Sequence, residues 1–599
     1  EQVIYNNTGS SVSVTGLSYG TTYWYRVYEY NCSGVNTKYN TSTATDNPLS
    51  QMTTAAPALG FQLTTTNTNY VIDFDNTVAN VNNGQYDGSG FTITPAVGQL
   101  NSDAWATTGM SDGASAFGGS NTTGDFARGI SNGGVNTGGF YAFTVGTGNN
   151  AFGIQPGGSD WTPGTVTLRV QNNTGTVLSS LGLAYKVFNF NDGLYSGTFN
   201  FSYSFDNVTY TPVSQVDFAS IEAADGSPAW NAYLRSLSLN SLSVANGNYI
   251  YLRWFGDDNG GSTSRDEFAI DDISIVANPT TVNQSFSGTL ADAIITGTTQ
   301  LSGPATVAGT VTLSNGNLIL GANHLSAGSV NGGSATGYIQ TNGTGALTVT
   351  NITTPAKELP VGNSTYNPLQ LNNGSGFDWT ARVEDAVNNV VAPFTTDKAI
   401  NRTWHISPSA TVVAGPDVTF NFDDADNAQL VNNVLYNGDP VRTVQVWHYG
   451  NGSWTAAGTS LAMTPGNGSQ SLTLSGYTNF SPFAISKTSS PLPVTILSFA
   501  GQKERGVNVL RWSTANEFNN TGFEILRSTD GINYTAIGFV NSLAVNGNSN
   551  DVLNYIFTDI ALSGTKQYYR LRQIDFDNRS NLSTIVLVKG ERPVITVID

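Results

Sequence analysis

The stretch Phe199-Asn-Phe-Ser-Tyr-Ser-Phe205 decides the fold class, because aromatic and small polar residues alternate strictly along it. Successive side chains of a β-strand point to opposite faces, so this alternation predicts a strand with one aromatic and one polar face. Thr165-Val-Thr-Leu-Arg-Val170 has the same two-residue period. Asn-Gly, Asp-Gly and Gly-Gly turns separate such runs, and helical periodicity is nearly absent. We therefore predict an all-β protein.

The composition agrees with β-sheets whose solvent faces carry little charge. Charged residues make up 11% of the 599 residues, against about 25% in an average soluble domain. The chain holds 65 glycines, and its polarity comes mainly from Asn, Thr, Ser and Gly. These residues suit turns and the polar faces of strands, whereas helix surfaces favour Glu, Lys, Arg and Ala.

Charge and hydropathy exclude two classes of function. The 24 basic residues stand against 42 acidic ones, giving a formal charge of −18. Nucleic-acid binding needs a basic surface, so no nucleic-acid partner is expected. The sequence has no run of 18 apolar residues, so no membrane span is expected. It opens on Glu1-Gln-Val-Ile without a signal peptide, which we interpret as a mature or partial form.

Three stretches carry resemblances to known modules. Gly16-Leu-Ser-Tyr-Gly-Thr-Thr-Tyr-Trp-Tyr-Arg-Val-Tyr-Glu-Tyr30 resembles the second half of a fibronectin type III domain, which implies that Tyr23, Tyr25 and Val27 point inward. The region from Asn69-Tyr-Val-Ile-Asp-Phe-Asp-Asn76 to Arg265-Asp-Glu-Phe-Ala-Ile-Asp-Asp-Ile-Ser-Ile275 resembles the jelly-roll modules of extracellular bacterial proteins. In those modules the first and last strands lie side by side.

The third resemblance lies near the C-terminus. Val509-Leu-Arg-Trp-Ser-Thr-Ala-Asn-Glu517, Gly522-Phe-Glu-Ile-Leu-Arg-Ser-Thr-Asp-Gly531 and Tyr568-Tyr-Arg-Leu-Arg-Gln-Ile-Asp-Phe-Asp577 follow one another. Together they resemble the fibronectin-like module that precedes the sorting domain of Bacteroidota proteins exported by the type IX secretion system. The Pro-Asn-Pro signature of a sorting domain is absent from the chain.

These patterns divide the chain into tandem β-sandwiches with a short β-solenoid-like segment. Short strands and Gly/Asn turns at 306–321 indicate the solenoid, and Trp404, Val444, Val446 and Trp454 are the expected core of the sandwich that follows. The predicted segments are a fibronectin type III-like half-domain (1–56), a jelly-roll sandwich (57–278), a solenoid-like segment (279–357), a second sandwich (358–488), the fibronectin-like module (489–590) and a linker to a missing sorting domain (591–599).

Four aspartates form the strongest candidate for a metal site. Asp73 and Asp75 share one face of the first jelly-roll strand, and the hydrophobic phase of the last strand slips at Asp271 and Asp272. Such a slip predicts a β-bulge. If the two strands pair, the carboxylates approach the oxygen-rich ligation that Ca²⁺ prefers. The resemblance to jelly-roll modules implies a structural calcium in the same place. The alternatives are exposed edge-strand acids or, more remotely, a glycosidase carboxylate pair.

Candidate ligand-binding residues lie in or near Gly-rich loops of the same region. Trp105, Trp161 and Tyr195 could stack on sugar rings if exposed, although core or loop-packing positions are the favoured alternative. In the acidic loop 255–267, Arg265 is expected to pair with a neighbouring acid. We find no nucleophile–histidine–acid pattern, zinc spacing or phosphate loop, and therefore predict no catalytic domain.

The sequence as a whole predicts a non-enzymatic multi-domain protein outside a Gram-negative Bacteroidota cell or on its outer-membrane surface. The type IX machinery would export it, and the jelly-roll region would bind glycans or other surface proteins, as in an adhesin. Two alternatives stay open: the accessory C-terminal region of a large secreted nuclease, protease or polysaccharide hydrolase, and a structural subunit of a surface filament.

Overall fold

The structure is a computed structural model, and it confirms an all-β chain. It describes residues 11–14, 17, 21–42, 44–53, 59–387, 399–423, 443–462, 469–480, 482–487, 494–517, 520–547, 549, 551–560, 566–576 and 580–589. Within these ranges the helices are 3₁₀ turns at Gly34–Asn36, Gly124–Phe126, Ser214–Val216 and Val545–Gly547. No helix described there is long and apolar enough to cross a bilayer.

The N-terminal segment forms two small sheets. Its strands are β1 (Thr22–Tyr25), β2 (Tyr30–Asn31), β3 (Lys38–Tyr39) and β4 (Leu49–Met52). β1 pairs with β4, and β2 pairs with β3. The expectation that Tyr25 and Val27 point into a core is wrong, because Val27 is 71% exposed and Tyr25 is also exposed. Within the described part of this segment, no second sheet packs over these strands to bury them.

The large sandwich follows and contains both candidate sites. Its strands are β5 (Phe61–Leu63), β6 (Asn69–Ile72), β7 (Phe91–Thr92), β8 (Leu100–Asn101), β9 (Trp105–Met110), β10 (Gly113–Ser115), β11 (Ile130–Ser131), β12 (Gly139–Gly146), β13 (Asn149–Gln155), β14 (Gly164–Asn172), β15 (Leu181–Phe190), β16 (Tyr195–Gly197), β17 (Asn200–Ser204), β18 (Thr211–Pro212), β19 (Trp230–Leu239), β20 (Tyr249–Gly256), β21 (Asp258–Gly261) and β22 (Glu267–Ala277).

Two sheets pack face to face in this sandwich. One has the order β10-β9-β14-β20-β17-β18, and β5 also pairs with β14. The other contains β11, β12, β13, β15, β19, β22 and β6. The alternation seen in the sequence sets the inward faces, since Val166, Leu168 and Val170 of β14 are all buried. Phe199 and Phe201 are buried in the same core, whereas Phe205 is exposed just beyond the end of β17.

Parallel strands form the solenoid-like segment. The strands are β23 (Ser285–Leu290), β24 (Asp292–Ile295), β25 (Thr299–Leu313), β26 (Leu318–Ile319), β27 (Leu325–Gly332), β28 (Ile339–Gln340), β29 (Leu347–Ile352), β30 (Lys357–Leu359) and β31 (Val361–Gly362). The exception to the parallel pairing within the segment is β30, which pairs antiparallel with Leu369–Asn372 and joins a sheet of the next sandwich. Successive rungs pair in parallel, as in β25 with β27 and β27 with β29. Glycine is needed where rungs meet, because a Cβ on Gly345 would lie 2.0 Å from the main-chain oxygen of Asn323.

The second sandwich contains β32 to β39. These strands are β32 (Leu369–Asn372), β33 (Phe377–Glu384), β34 (Thr403–Pro408), β35 (Asp417–Asp423), β36 (Thr443–Gly450), β37 (Ser453–Ala462), β38 (Ser469–Leu474) and β39 (Phe483–Lys487). One sheet has the order β30-β32-β35-β38, and the facing strands run β33-β34-β39-β36-β37. The expected core residues Trp404, Val444, Val446 and Trp454 are all buried.

The last module is a smaller sandwich of two sheets. Its strands are β40 (Ile496–Glu504), β41 (Val507–Thr514), β42 (Asn520–Ser528), β43 (Thr535–Asn541), β44 (Leu553–Asp559), β45 (Lys566–Asp575), β46 (Ser580–Leu582) and β47 (Val586–Lys589). The orders are β40-β41-β44 and β43-β42-β45-β46, with β47 also on β45. Trp512 stacks on Tyr555 at 5.3 Å between ring centroids, and Phe523 packs against both. The predicted linker 591–599 lies outside the described residues.

Candidate functional site

The closing strand β22 organises the acidic side chains of the large sandwich. Over its whole length it pairs with β15. On its other edge it pairs first with β13, through Phe268 to Ile270, and then with β6, where Ile273 lies opposite Ile72. The predicted pairing of the first and last strands is thereby confirmed. The neighbour changes between Ile270 and Ile273, so Asp271 and Asp272 lie where β13 gives way to β6.

A β-bulge occupies that position, as the phase slip in the sequence predicts. Asp271 lies opposite Lys186 of β15 and Ser274 lies opposite Ala184, so two residues of β22 face one of β15. Asp272 takes a φ of 50°, which is uncommon for a residue with a Cβ. The bulge places Asp271 in the interior and turns the Asp272 carboxylate toward Lys186, with Oδ2 and Nζ 2.7 Å apart.

Asp271 is a buried carboxyl group with an unused oxygen. The residue is 1% exposed, and its Oδ1 atom has no hydrogen-bond partner. Burial raises the pKa of Asp271 well above its usual range, and the charges of Asp272, Asp73 and Asp75 raise it further. A buried carboxylate in this situation must be neutralised, either by a proton or by a cation.

The expectation that Asp73 and Asp75 share one face of the first strand is wrong, because β6 ends at Ile72 and both residues lie in the turn that follows it. The Oδ1 atom of Asp75 accepts hydrogen bonds from the Asn150 main-chain N–H at 2.7 Å and from Gln85 Nε2 at 2.9 Å. Asp73 accepts a hydrogen bond through Oδ1 from the Asp75 N–H at 2.8 Å. The turn and the bulge thus bring Asp73, Asp75 and Asp272 within electrostatic reach of Asp271.

The arrangement fits a hard cation centred on Asp271 better than one held by four carboxylates. Asp272 is committed to Lys186, and Asp73 is engaged in its own turn. Among the residues that the structure describes, no three Asp, Glu, His or Cys side chains converge closely enough to hold a metal by themselves. A calcium ion here would take the orphaned Asp271 Oδ1 and complete its shell with carbonyl oxygens and water, which are ordinary calcium ligands.

Two of the three predicted sugar-stacking aromatics are core residues. Trp105 is 0% exposed and packs among Phe74, Phe152 and Trp254. Trp161 is 1% exposed and stacks on Phe199. The prediction of exposed sugar platforms at Trp105 and Trp161 is therefore wrong. Nearby glycines give Trp161 room to turn inward, since a Cβ on Gly164 would lie 2.4 Å from its ring.

Tyr195 lies instead at the edge of a small hollow. β16 carries it and pairs with β21, which begins at Asp258. The Arg265 guanidinium lies 4.4 Å from the Tyr195 ring centroid and donates two hydrogen bonds to the Asp258 carboxylate, at 2.8 and 2.6 Å. The expected pairing of Arg265 with a neighbouring acid is confirmed. We call this feature the Tyr195 hollow; its lining includes Trp161, Tyr195, Asp257, Asp258, Arg265 and Asp266.

Asp266 gives the Tyr195 hollow a buried acid that the sequence analysis did not single out. It is fully buried; its Oδ1 accepts the Gly193 N–H at 2.9 Å, and the Ser220 side chain also bonds to the carboxylate. Burial raises the pKa of Asp266 to about 6, with further contributions from the Asp192 and Asp225 charges. The signal for its burial was present in the sequence, because Asp266 shares the two-residue phase of Phe268 and Ile270.

Comparison with known proteins assigns neither family nor activity. No family model matches the sequence, and no curated protein matches it. A β-1,2-glucanase structure from Parabacteroides distasonis is 12% identical, covering 43% of this chain and 38% of that one, with a TM-score of 0.12. The CBM22-1–GH10 modules of Clostridium thermocellum xylanase 10B with xylohexaose are 13% identical, covering 32% and 34%, with a TM-score of 0.14. The chain thus spans less than two-fifths of the length of either protein. TM-scores this low do not indicate a shared overall fold.

Because Trp105 is buried, we expect that removing its side chain destabilises the large sandwich. Trp105→Ala removes a fully buried indole, so the free energy of unfolding of the large sandwich should fall by about 3–5 kcal/mol in a urea titration. The matched control is Trp24→Ala, because Trp24 is 71% exposed; its effect should stay within about 0.5 kcal/mol. Equal, small effects in the two variants would contradict a core position for Trp105.

Proposed function

We propose that this chain is a non-enzymatic, extracellular or cell-surface β-protein that binds glycans through the Tyr195 hollow. The supporting observation is that Tyr195 and the bidentate Arg265–Asp258 pair lie together at the edge of this hollow. Its interior, about 10 Å³, has room for about one water molecule, so a glycan would lie across the edge. Sugar recognition uses such combinations, in which apolar ring faces pack on an aromatic and hydroxyls bond to charged side chains.

The charge of the Tyr195 hollow narrows the class of glycan. Asp257, Asp258 and Asp266 outnumber the single cation Arg265 within the lining. These aspartates would repel the carboxylate of a uronic acid and the sulfate of a sulfated sugar, so both classes of anionic glycan are disfavoured. We therefore propose neutral or amino sugars as ligands. Binding is favoured over catalysis because the Asp258 carboxylate is held in an ion pair by Arg265.

A glycan array on the full chain tests the Tyr195 hollow. The wild type should bind a subset of neutral or amino sugars, and Tyr195→Ala should weaken that signal at least tenfold because the apolar wall is lost. Tyr210→Ala is the matched control, since Tyr210 is also half-buried and lies under an arginine, Arg253, at 3.4 Å, but does not line the hollow. No binding to any glycan, or equal losses in the two variants, would sink the proposal.

We also propose a structural calcium at Asp271. Its unused buried oxygen and the surrounding Asp73, Asp75 and Asp272 charges support this proposal. Calcium binding would stabilise the folded state by mass action. The gain is about 2.7 kcal/mol when the free calcium concentration is 100 times the dissociation constant.

Thermal melts of the full chain with calcium or chelator test the Asp271 proposal. Calcium should raise the melting temperature of the wild type, and Asp271→Asn should reduce that rise. Glu222→Gln serves as the control, because it removes an exposed carboxylate outside this group of aspartates. The account fails if chelator leaves the wild-type melt unchanged, or if Asp271→Asn responds to calcium as the wild type does.

Export by the type IX system is proposed from the sequence resemblance of residues 492–590. If it is correct, a Bacteroidota host that lacks the translocon should retain the full-length protein in the periplasm, whereas the parent strain displays or releases it. Fractionation and immunoblotting of both strains measure this distribution. Equal amounts of the protein outside the two strains would contradict this route.

A further inference from the structure

The outer face of the sheet β10-β9-β14-β20-β17-β18 carries a group of aromatic side chains. Alternate residues of β20 are fully buried in the core, so Tyr249, Tyr251 and Arg253 lie on the opposite face. The ring centroids of Tyr249 and Tyr251 are 6.3 Å apart, and the Phe117 ring lies 5.9 Å from that of Tyr251. The guanidinium carbon of Arg253 lies 3.4 Å from the ring centroid of Tyr210. We call these five residues the outer aromatic face.

The rings of the outer aromatic face are accessible to a ligand. All four are partly exposed, whereas Trp254, on the inward side of β20, is fully buried. No hydrogen bond among the described residues engages the hydroxyls of Tyr249 and Tyr251. These two side chains can therefore offer both a ring face and a hydroxyl group to a bound molecule.

Arg253 adds a positive charge to this face, and no acid of the described residues forms an ion pair with it. Its Nε donates a hydrogen bond to Thr167 Oγ1 at 3.0 Å. Burial lowers the pKa of Arg253, because water is withdrawn from the guanidinium and no carboxylate replaces it. An anionic group bound beside Arg253 would offset this loss of solvation.

Asp206 does not supply that anionic group. Its charge reaches Tyr251, so it lies near the outer aromatic face. However, its Oδ1 accepts hydrogen bonds from the main-chain N–H groups of Val208 and Thr209, both at 2.8 Å. The carboxylate thus closes its own turn, and Arg253 stays available to an anion from outside the protein.

Aromatic rings beside one unpaired arginine match an acidic sugar. The apolar faces of pyranose rings pack on aromatic rings, and a planar guanidinium can donate two N–H groups to one carboxylate. Nucleic acid also stacks on aromatic rings, but its affinity depends on neutralising many phosphates. A single cation in a chain of formal charge −18 favours a largely neutral glycan with an isolated acidic residue over such a polyanion.

We propose that the outer aromatic face is a second glycan-binding site, which takes a largely neutral oligosaccharide that carries a uronic acid residue. Tyr249 and Tyr251 would hold sugar rings, and Arg253 would pair with the uronic acid carboxylate. The site shares no residue with the Tyr195 hollow, where aspartates outnumber the one arginine. The two sites therefore prefer sugars of different charge, and this proposal does not rest on the hollow.

An array of oligosaccharides in matched pairs tests the outer aromatic face on the full chain. Each pair has the same neutral backbone with and without one uronic acid residue, on xylan, glucan, galactan and mannan backbones. In at least one pair the wild type should bind the acidic member about tenfold more tightly, as expected for a charge-assisted hydrogen bond. Arg253→Gln should lose this preference, because glutamine is uncharged.

Two variants separate this site from other parts of the chain. Arg570→Gln is the matched control, since Arg570 also lies over a tyrosine, Tyr534 at 5.9 Å, but in the last module. It should keep the preference for the acidic member. Tyr195→Ala should keep it as well, so failure of the Tyr195 hollow is distinguishable from failure of the outer aromatic face.

Three outcomes would overturn the proposal. The first is the absence of an acidic preference in every pair, and the second is an unchanged preference in Arg253→Gln. The third is binding of single-stranded DNA that Arg253→Gln abolishes, without any preference among the glycans. If Arg253→Gln fails to fold by near-ultraviolet circular dichroism, Tyr251→Ala replaces it; undiminished binding of the acidic glycan by that variant would equally overturn the site.

Discussion

The pairing of the closing strand β22 with β6, β13 and β15 is the constraint on which the large sandwich depends. This strand carries apolar side chains into the core and also places three carboxyl groups, those of Asp266, Glu267 and Asp271, in the interior. A buried carboxylate without a partner is costly. The fold tolerates such groups only if protons or cations neutralise them. The stability of this strand should therefore depend on whether a proton or a cation is bound at each of these carboxyl groups.

The same strand connects the proposed calcium site at Asp271 to the proposed glycan site. Asp266 lies beside the Tyr195 hollow, and its Oδ1 accepts a hydrogen bond from the Gly193 main-chain N–H, two residues before Tyr195. The position of Tyr195 and the burial of Asp271 therefore both depend on where this one strand lies.

Alternation and turn residues were sufficient to predict the strands and the bulge beside Asp271, because these features follow from local two-residue periodicity. The pairing of β6 with β22 was expected instead from the resemblance to jelly-roll modules. Periodicity could not decide between core and surface positions for Trp105 and Trp161, since the direction of an indole in a glycine-rich loop depends on distant neighbours. It also did not single out Asp266, whose hydrogen-bond partner Gly193 is 73 positions away in the chain, so that only the tertiary fold brings the two together.

The most direct test of the central claim, that a cation neutralises Asp271 of the closing strand, is a crystal structure of the full chain grown with calcium. Anomalous difference density, collected at a wavelength where calcium scatters strongly, locates the ion. We predict a peak about 2.3–2.6 Å from Asp271 Oδ1. Crystals saturated with calcium that have no peak there would contradict this claim, and would leave a protonated carboxyl group as the explanation.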